Sequence, residues 1–243
     1  MSKTTSTKKV QKIGKRSKKY SANFAKIKEV MSKNLTLDVK EACKLLFDLE
    51  QPKYEASVEI HFKLNINPTK SDQIIRSSLV LPHGSGKKVV VAAFVSPEKV
   101  EEAKKAGADI VGGEELVEEI KTSQKVNFDK AIAEPAMMKK LPAIARILGV
   151  AGVMPNPKNN TVGENITEMI KAIKGGKVDF KNDKSANIHF TIGKINKEFT
   201  PETIYENFQA ALDAVEKAKP EVIKKYILSC HLASSISPSI RVL

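Results

Sequence analysis

The string HGSGKK at residues 83–88 holds the glycines and lysines from which a phosphate cradle is made. A P-loop of the form GxxxxGK[ST] needs glycine at position 81 and a hydroxyl at 88, where this chain has Leu81 and Lys88, so no P-loop is expected. The apolar run Val89 to Val95 leads into Ser96 and Pro97 rather than into a GxGxxG turn, which leaves a dinucleotide without its pyrophosphate site. The paired carboxylates Glu101/Glu102, Glu114/Glu115 and Glu118/Glu119 are neighbours in helical runs, the pattern of a solvated face rather than of an acid and base in one pocket. Cys43 and Cys230 stand alone in apolar segments, and His61, His83, His189 and His231 are scattered without metal-ligand spacing. An enzyme is not expected, nor is a cofactor or a metal.

Another set of residues suits a polyanion. Lys53 beside Tyr54, then Lys70 and Arg76, then Lys181, Asn182 and Lys184, interleave cations with an aromatic and an amide. Lysine and arginine hold phosphates, while a tyrosine stacks on an unpaired base or bonds to a ribose hydroxyl. Tyr54 reads equally as a core aromatic at a strand entry. Ser234, Ser235, Ile236 and Ser237, in the run ASSISPSIRV at 233–242, offer small hydroxyls that let a backbone approach RNA, or else form an ordinary loop.

Charge supports the first alternative. The first 28 residues hold ten Lys or Arg and no acid, Lys15 and Arg16 among them, while the other 215 balance 31 basic against 28 acidic residues within a net charge of +13. One-signed charge attached to a folded body draws nucleic acid by counterion release, although such a tail is also read as solvated with no partner. An organellar transit sequence is a further reading of the basic start. Its lysine-rich composition and the absence of an apolar helical face favour a cytoplasmic protein. No stretch approaches the roughly 18 to 20 apolar residues of a membrane span, so no membrane association is expected.

These residues need elements to hold them. Thr36 to Leu49 is predicted as a helix capped by Thr36, with Val39, Ala42, Cys43 and Leu46 on its apolar face. Ser57 to Ile66 alternates strictly, with Val58, Ile60, Phe62, Leu64 and Ile66 inward and Ser57, Glu59, His61 and Lys63 outward, which is a strand with one wet face. The pattern recurs at Ile188, Phe190 and Ile192 and at Tyr226, Leu228, Cys230 and Leu232. Between them a helix starts at Thr200 and Pro201, carries Ile204, Phe208, Leu212 and Val215, and stops before Pro220. The middle is written differently. The continuous apolar run 89–95 and the short runs 108–111 and 129–133, each trailed by a helical stretch, read as βα units with a parallel sheet covered on both faces. Turn chemistry borders this part at Pro82, Gly84 and Gly86 and at Gly175 and Gly176, where a hinge and a pair of ordinary loops are both admissible.

Several strings, in order, resemble one family: GKRSKKY at 14–20, SDQIIRSSLVLPHGSGKKV at 71–89, AGADIVGGEEL at 106–116, RILGVAGVMPNPKNNTV at 146–162, FKNDKSANIHFTIGK at 180–194 and KKYILSCHLASSISPSIRV at 224–242. Beyond about residue 14 the chain resembles the bacterial-type L one family of large-subunit ribosomal proteins. The resemblance implies an α/β protein of two domains. A discontinuous split-βαβ domain is formed by residues 14–82 and 176–243, a Rossmann-like three-layer αβα domain by 83–175 is inserted into it, and a disordered basic tail covers 1–13. It further implies binding to the mobile-stalk region of large-subunit ribosomal RNA, a role in releasing deacylated exit-site tRNA, repression of the chain's own operon mRNA, and a monomer when free. Lys53 and Tyr54 fall on the family's Lys-Phe pair. Ser235, Ile236 and Ser237 fall where Thr-Met-Gly is usual, and Val150 and Ala151 where a Pro-Arg pair is common. If position 237 needs positive φ, serine there costs about 1 kcal/mol. The Ser235-Ile236-Ser237 departure leaves open a member that regulates RNA off the ribosome.

Overall fold

The computed structural model describes residues 18–33, 36–218 and 226–243. Lys15, Arg16, the 1–13 tail and Pro220 lie outside them. Along the chain, α1 (Lys18–Lys33), α2 (Val39–Asp48), β1 (Ala56–Leu64) and β2 (Arg76–Val80) are followed by β3 (Val91–Phe94), α3 (Val100–Lys105), β4 (Ile110–Gly112) and α4 (Glu114–Ser123). Then come β5 (Lys130–Ala133), α5 (Ala145–Ala151), α6 (Ile166–Lys174), β6 (Lys177–Lys181), β7 (Asn187–Ile195), α7 (Pro201–Lys217), β8 (Ile227–Ser234) and β9 (Ile240–Arg241). The fold is a mixed α/β one, as expected.

Both chain ends build an antiparallel sheet of order β7-β1-β8-β9. β7, α7 and β8 form a βαβ unit split by β1, which pairs with both strands. Alternation puts Val58, Ile60 and Phe62 on the buried face with Ile188, Ile192 and Leu232, against Ile204, Phe208 and Val215 of α7 and Cys43 and Leu46 of α2. Glu59 and Lys63, between them, are exposed. α7 starts as read: Thr200 caps it by accepting from the Thr203 amide, the Thr203 hydroxyl returns the bond, and Pro201 occupies the first turn. Two details differ. The cap of α2 is Asp38, whose carboxylate accepts from Lys40 N, rather than Thr36, because the helix starts only at Val39. Leu228, expected inward, is 41% exposed, since the ladder shifts register between Lys63 and Leu64 and skips it.

α1 is an element that the charge pattern hides. Lys18, Lys19, Lys26 and Lys28 face water while Ile27, Val30 and Met31 join the core of the antiparallel sheet. Another is the β2–β6 ladder, which runs from Arg76↔Lys181 to Val80↔Lys177.

The middle of the chain folds as the parallel sheet β4-β3-β5. Ala92 and Phe94 pack on one side with Leu141, Ile144 and Leu148. Val91, Ala93 and Val95 pack on the other with Ile166, Ile170 and Ile173. Helices therefore cover both faces, as the continuous apolar run required.

The two connections between the lobes run side by side where the β2–β6 ladder ends. Leu81 N donates to Gly176 O at 3.2 Å. Gly84 and Gly176 both take positive φ, +69° and +99°, and a Cβ on Gly176 would overlap the Cα of Gly84. Gly175, in contrast, has a negative φ and caps α6 through a 2.7 Å bond to Lys171 O. Pro82 is exposed between Leu81 and His83.

Candidate nucleic-acid interface

The residues singled out for RNA fall into two groups at opposite ends of β1. At the Ala56 end, the loop carrying Lys53 and Tyr54 meets the β8–β9 turn. Ser57 N donates to Ser235 Oγ at 3.0 Å, and Ser235 N donates to Ser57 O at 3.2 Å. The third party is Asn23 of α1, buried to 1% exposure. Its amide donates to Glu50 O at 3.0 Å and Ile236 O at 3.4 Å, and its carbonyl accepts from Glu50 N at 2.9 Å. One buried side chain thus ties α1 to both loops. Lys19 Nζ adds a 2.5 Å bond to Gln51 O.

Tyr54 is 61% exposed, which removes the reading of it as a core aromatic and leaves its ring open to stack. Ser235 is exposed, Ile236 and Ser237 are half-buried, and Ser234 is buried. Ser237 does not take positive φ. Its hydroxyl accepts from Ser234 N at 2.8 Å and its amide donates to Ser234 O at 3.1 Å, so serine closes the turn rather than straining it. The cost foreseen for a serine at 237 does not arise.

At the Leu64 end lie Lys70, Arg76, Lys181, Asn182 and Lys184. Lys70, Lys181 and Lys184 are exposed and have no acidic partner among the described residues. Asn182 is buried, and its amide is committed to Ile75 N at 2.8 Å and Asp183 O at 3.1 Å, so it shapes the site from beneath. The Asp183 carboxylate accepts from Ser185 N at 2.8 Å and Asn187 N at 2.7 Å. These donors, that of Asn187 foremost, hold its carboxyl below the usual carboxylate range and shape the turn that presents Lys184. Lys63 reaches the same turn through Ser185 O at 2.6 Å. Arg76 is turned toward the other lobe, with Nε 3.1 Å from Asn159 Oδ1.

The lobes also meet over one edge of the sheet, around a cleft of about 250 Å³ lined by Ser57, Thr191, Lys194, Lys87, Lys130 and Lys177, among others. Its lysines are occupied: Lys87 bonds Asp129 at 2.6 Å, Lys130 pairs with Asp179, Lys194 bonds Glu55 at 2.9 Å, and Lys177 donates to Asn159 O at 2.6 Å. Burial pulls the Lys177 ammonium below its ordinary range. The PNPKNNT segment builds the loop that carries Asn159: Thr161 Oγ1 accepts from Asn156 N at 2.7 Å and donates to Asn156 O at 3.0 Å. At the end of α5 Val150 is 88% exposed, and Ala151 beside it, also exposed, stands where the resemblance leads one to expect the arginine of a Pro-Arg pair.

The second residue hidden from sequence reasoning is Asn207. Fully buried on α7, it donates to Gly84 O at 3.0 Å and Ile192 O at 2.7 Å and accepts from His83 N at 3.1 Å, while the His83 ring pairs with Glu206. It fastens the first interlobe connection to the sheet core. A polar residue set three positions after Ile204, inside an apolar helical stripe, was the available signal.

Cys43 and Cys230 are buried free thiols pushed up to about 12 by that burial, and so are inert fillers. No group of three or more ligating side chains suited to a metal occurs among the described residues. No helix there is long and apolar enough to cross a membrane.

The model of the ribosomal protein L1p/L10e family matches residues 39–238. Large ribosomal subunit protein uL1 of Kosmotoga olearia is 42% identical over 228 residues, covering 93% of this chain and 96% of that protein. Its counterpart in Thermus thermophilus is 40% identical over 226 residues, 92% of this chain and 97% of that one. Large ribosomal subunit protein uL1c of Arabidopsis thaliana is 44% identical over 228 residues, 93% of this chain but 65% of that longer protein.

Proposed function

Because the chain belongs to the ribosomal protein L1p/L10e family, we propose that it grips the mobile-stalk region of large-subunit ribosomal RNA with the two ends of its four-stranded sheet. Membership makes it a non-enzymatic structural constituent of the large ribosomal subunit, associated with ribosomal RNA. The observation that carries the finer reading is that one buried side chain, Asn23, fastens both the start of the loop that carries Lys53 and Tyr54, through Glu50, and the Ser235–Ser237 turn, through Ile236. A stacking ring, a cation and small hydroxyls, held rigidly together, read the shape and ribose edge of RNA. The cations at the Leu64 end supply a second phosphate grip.

From its place at the stalk, the protein assists release of deacylated tRNA from the exit site, the second lobe moving about Gly84 and Gly176. Where its own operon mRNA repeats the stalk shape, the same surface represses translation. Both follow from the resemblance, as does a monomeric free protein. The Ser235-Ile236-Ser237 segment leaves one rival, a regulator acting off the ribosome, which co-sedimentation with large subunits distinguishes.

The test is binding of the stalk fragment of the chain's own ribosomal RNA, against a scrambled hairpin, over a salt series. Selective binding with a steep slope is expected. Tyr54→Ala loses about 1–3 kcal/mol and Tyr54→Phe keeps most of it. Deleting residues 1–13 lowers the slope if the tail contributes phosphate contacts. Equal, weak binding to both RNAs would sink the reading.

A further inference from the structure

The outward face of the four-stranded sheet carries a row of residues that neither end of the interface uses. His189 on β7, His61 on β1 and His231 on β8 are direct cross-strand partners, and Arg241 on β9 continues the row. The nine residues of β1 span about 27 Å, and His61 lies between its two ends. The direct path along β1 from the Tyr54 end to the Lys184 end of the open face runs over these rings.

The rings are poised for a change of charge. His61 Nδ1 and His189 Nδ1 lie 2.8 Å apart. One must donate and the other accept, so both cannot be imidazolium in this arrangement. Burial, then the proximity of His189 and His231, lowers the His61 imidazole from its ordinary range against an opposing pull from Glu59. Burial and then Arg241 do the same to His231. The other charged groups facing the row are few. Glu59 stands 3.9 Å from His61 Nε2, and Asp183, engaged by its own turn, 3.7 Å from His189 Nε2. Lys63 is directed at Ser185 O and Arg241 Nε at Leu243 O. The free protein therefore holds His61 and His231 biased against charging, with His189 engaged to His61 by a bond that a second proton would break, and an anion laid across the row would reverse that bias.

We propose that this row is a proton-linked phosphate subsite, in which RNA crossing the open face places a backbone phosphate over His189, His61 and His231 and the row takes up protons from solvent as it docks. The inference rests on the RNA-binding reading above and adds a pH dependence that the lysine and arginine groups cannot supply, because they stay charged throughout. Protonation breaks the His61–His189 bond and turns both rings into donors toward the phosphate. The sign follows. The imidazoles charge less readily in the free protein than beneath a phosphate, so the complex binds more protons and affinity rises as pH falls.

The full chain is titrated with the stalk fragment and with poly(U) at about pH 8 and about pH 6, at one ionic strength. Proton uptake is read by calorimetry in two buffers of different ionisation enthalpy. Each proton whose affinity rises by one pKa unit on docking tightens binding about tenfold, so at least that gain is expected on acidification, with net proton uptake. His61→Asn and His231→Asn each flatten the gain and reduce the proton uptake, since an amide takes up no proton over this range. Affinities for both RNAs that move less than about twofold in the unaltered protein, without proton uptake, overturn the proposal, and so does a pH gain that survives in the double variant. If His61→Asn disturbs folding, His231→Asn and His189→Gln decide the matter. A fragment bound no better than a scrambled hairpin at either pH would refute the stalk reading instead, and proton uptake on poly(U) would still decide this subsite.

Discussion

In β1 every second side chain is buried, Val58, Ile60 and Phe62 among them, while Glu59 and Lys63 face water; in β3 Val91, Ala92, Ala93 and Phe94 are all buried. The antiparallel sheet has a whole face to offer a ligand. The parallel sheet has only its strand ends, and there the carboxylates are consumed as fasteners. Asp109 accepts from Val91 N at 2.9 Å, Asp129 from Val90 N at 3.1 Å, and Glu134 from Ser96 N and Oγ at 3.0 and 2.6 Å. The Ser96 hydroxyl holds the Glu134 carboxyl below its usual range, as the Val91 amide holds Asp109, so each stays an acceptor and gives no sign of proton-transfer chemistry. The difference teaches that the half-covered sheet has an open face for the proposed RNA contact, whereas the parallel sheet, covered on both sides, has none.

The comparison is broken most directly with a charge on each sheet. Ala92→Lys and Ala93→Lys, on opposite faces of β3, should each cost more than about 4 kcal/mol, since either face leaves an ammonium in a dry, filled space. Glu59→Lys on the outward face of β1 should stay within about 0.5 kcal/mol of the parent and tighten RNA binding. Urea unfolding measures the first pair and a salt-series titration the second. A β3 that tolerated lysine at either position would have one open face, and the distinction between the sheets would fall.

The connections between the lobes come next in size. Gly176→Ala sets a Cβ against the Gly84 backbone at a φ of +99° and should cost at least about 2–3 kcal/mol. Gly84→Ala also meets a positive φ, but with open space around the added carbon, and should cost about 1 kcal/mol. If the two losses came out equal in thermal unfolding, the close crossing of the connections would not be what constrains them.

Legibility in the sequence followed the same divide. Alternation announced β1 and β7 because one face of their sheet is wet, and the unbroken run 89–95 announced β3 because neither face of its sheet is. Thr200 and Pro201 marked the start of α7 because its cap is local. The β2–β6 ladder was not legible: Arg76, Ser77 and Ser78 show no alternation, and their partners lie about a hundred residues on. α1 was obscured by its lysines, although Ile27, Val30 and Met31 hold helical spacing. In the candidate site, the exposed cations and Tyr54 could be named from residue type alone. The amides that organise them, Asn23, Asn182 and Asn207, could not, since a buried asparagine is recognised only by the backbone groups that converge on it. The histidine row was missed for a related reason. In sequence His61, His189 and His231 lie far apart, and only the register of three strands makes them neighbours.

The smallest expected effect sharpens the comparison at the Leu64 end of the open face. Ala186 takes a φ of +60° in the turn that Asp183 shapes, with its carbonyl accepting from Leu64 N at 2.9 Å. An L-residue in the left-handed region costs about 1–2 kcal/mol, whereas glycine there gives back roughly 0.5–1 kcal/mol through the greater freedom of its unfolded chain. Ala186→Gly should therefore stabilise the protein by about 0.5–1 kcal/mol, seen as a higher denaturant midpoint at unchanged slope, with RNA affinity unaltered. A lower midpoint would mean that the buried methyl group outweighs the backbone strain. A changed affinity at equal stability would mean instead that the strained turn is part of how Lys184 is presented to RNA.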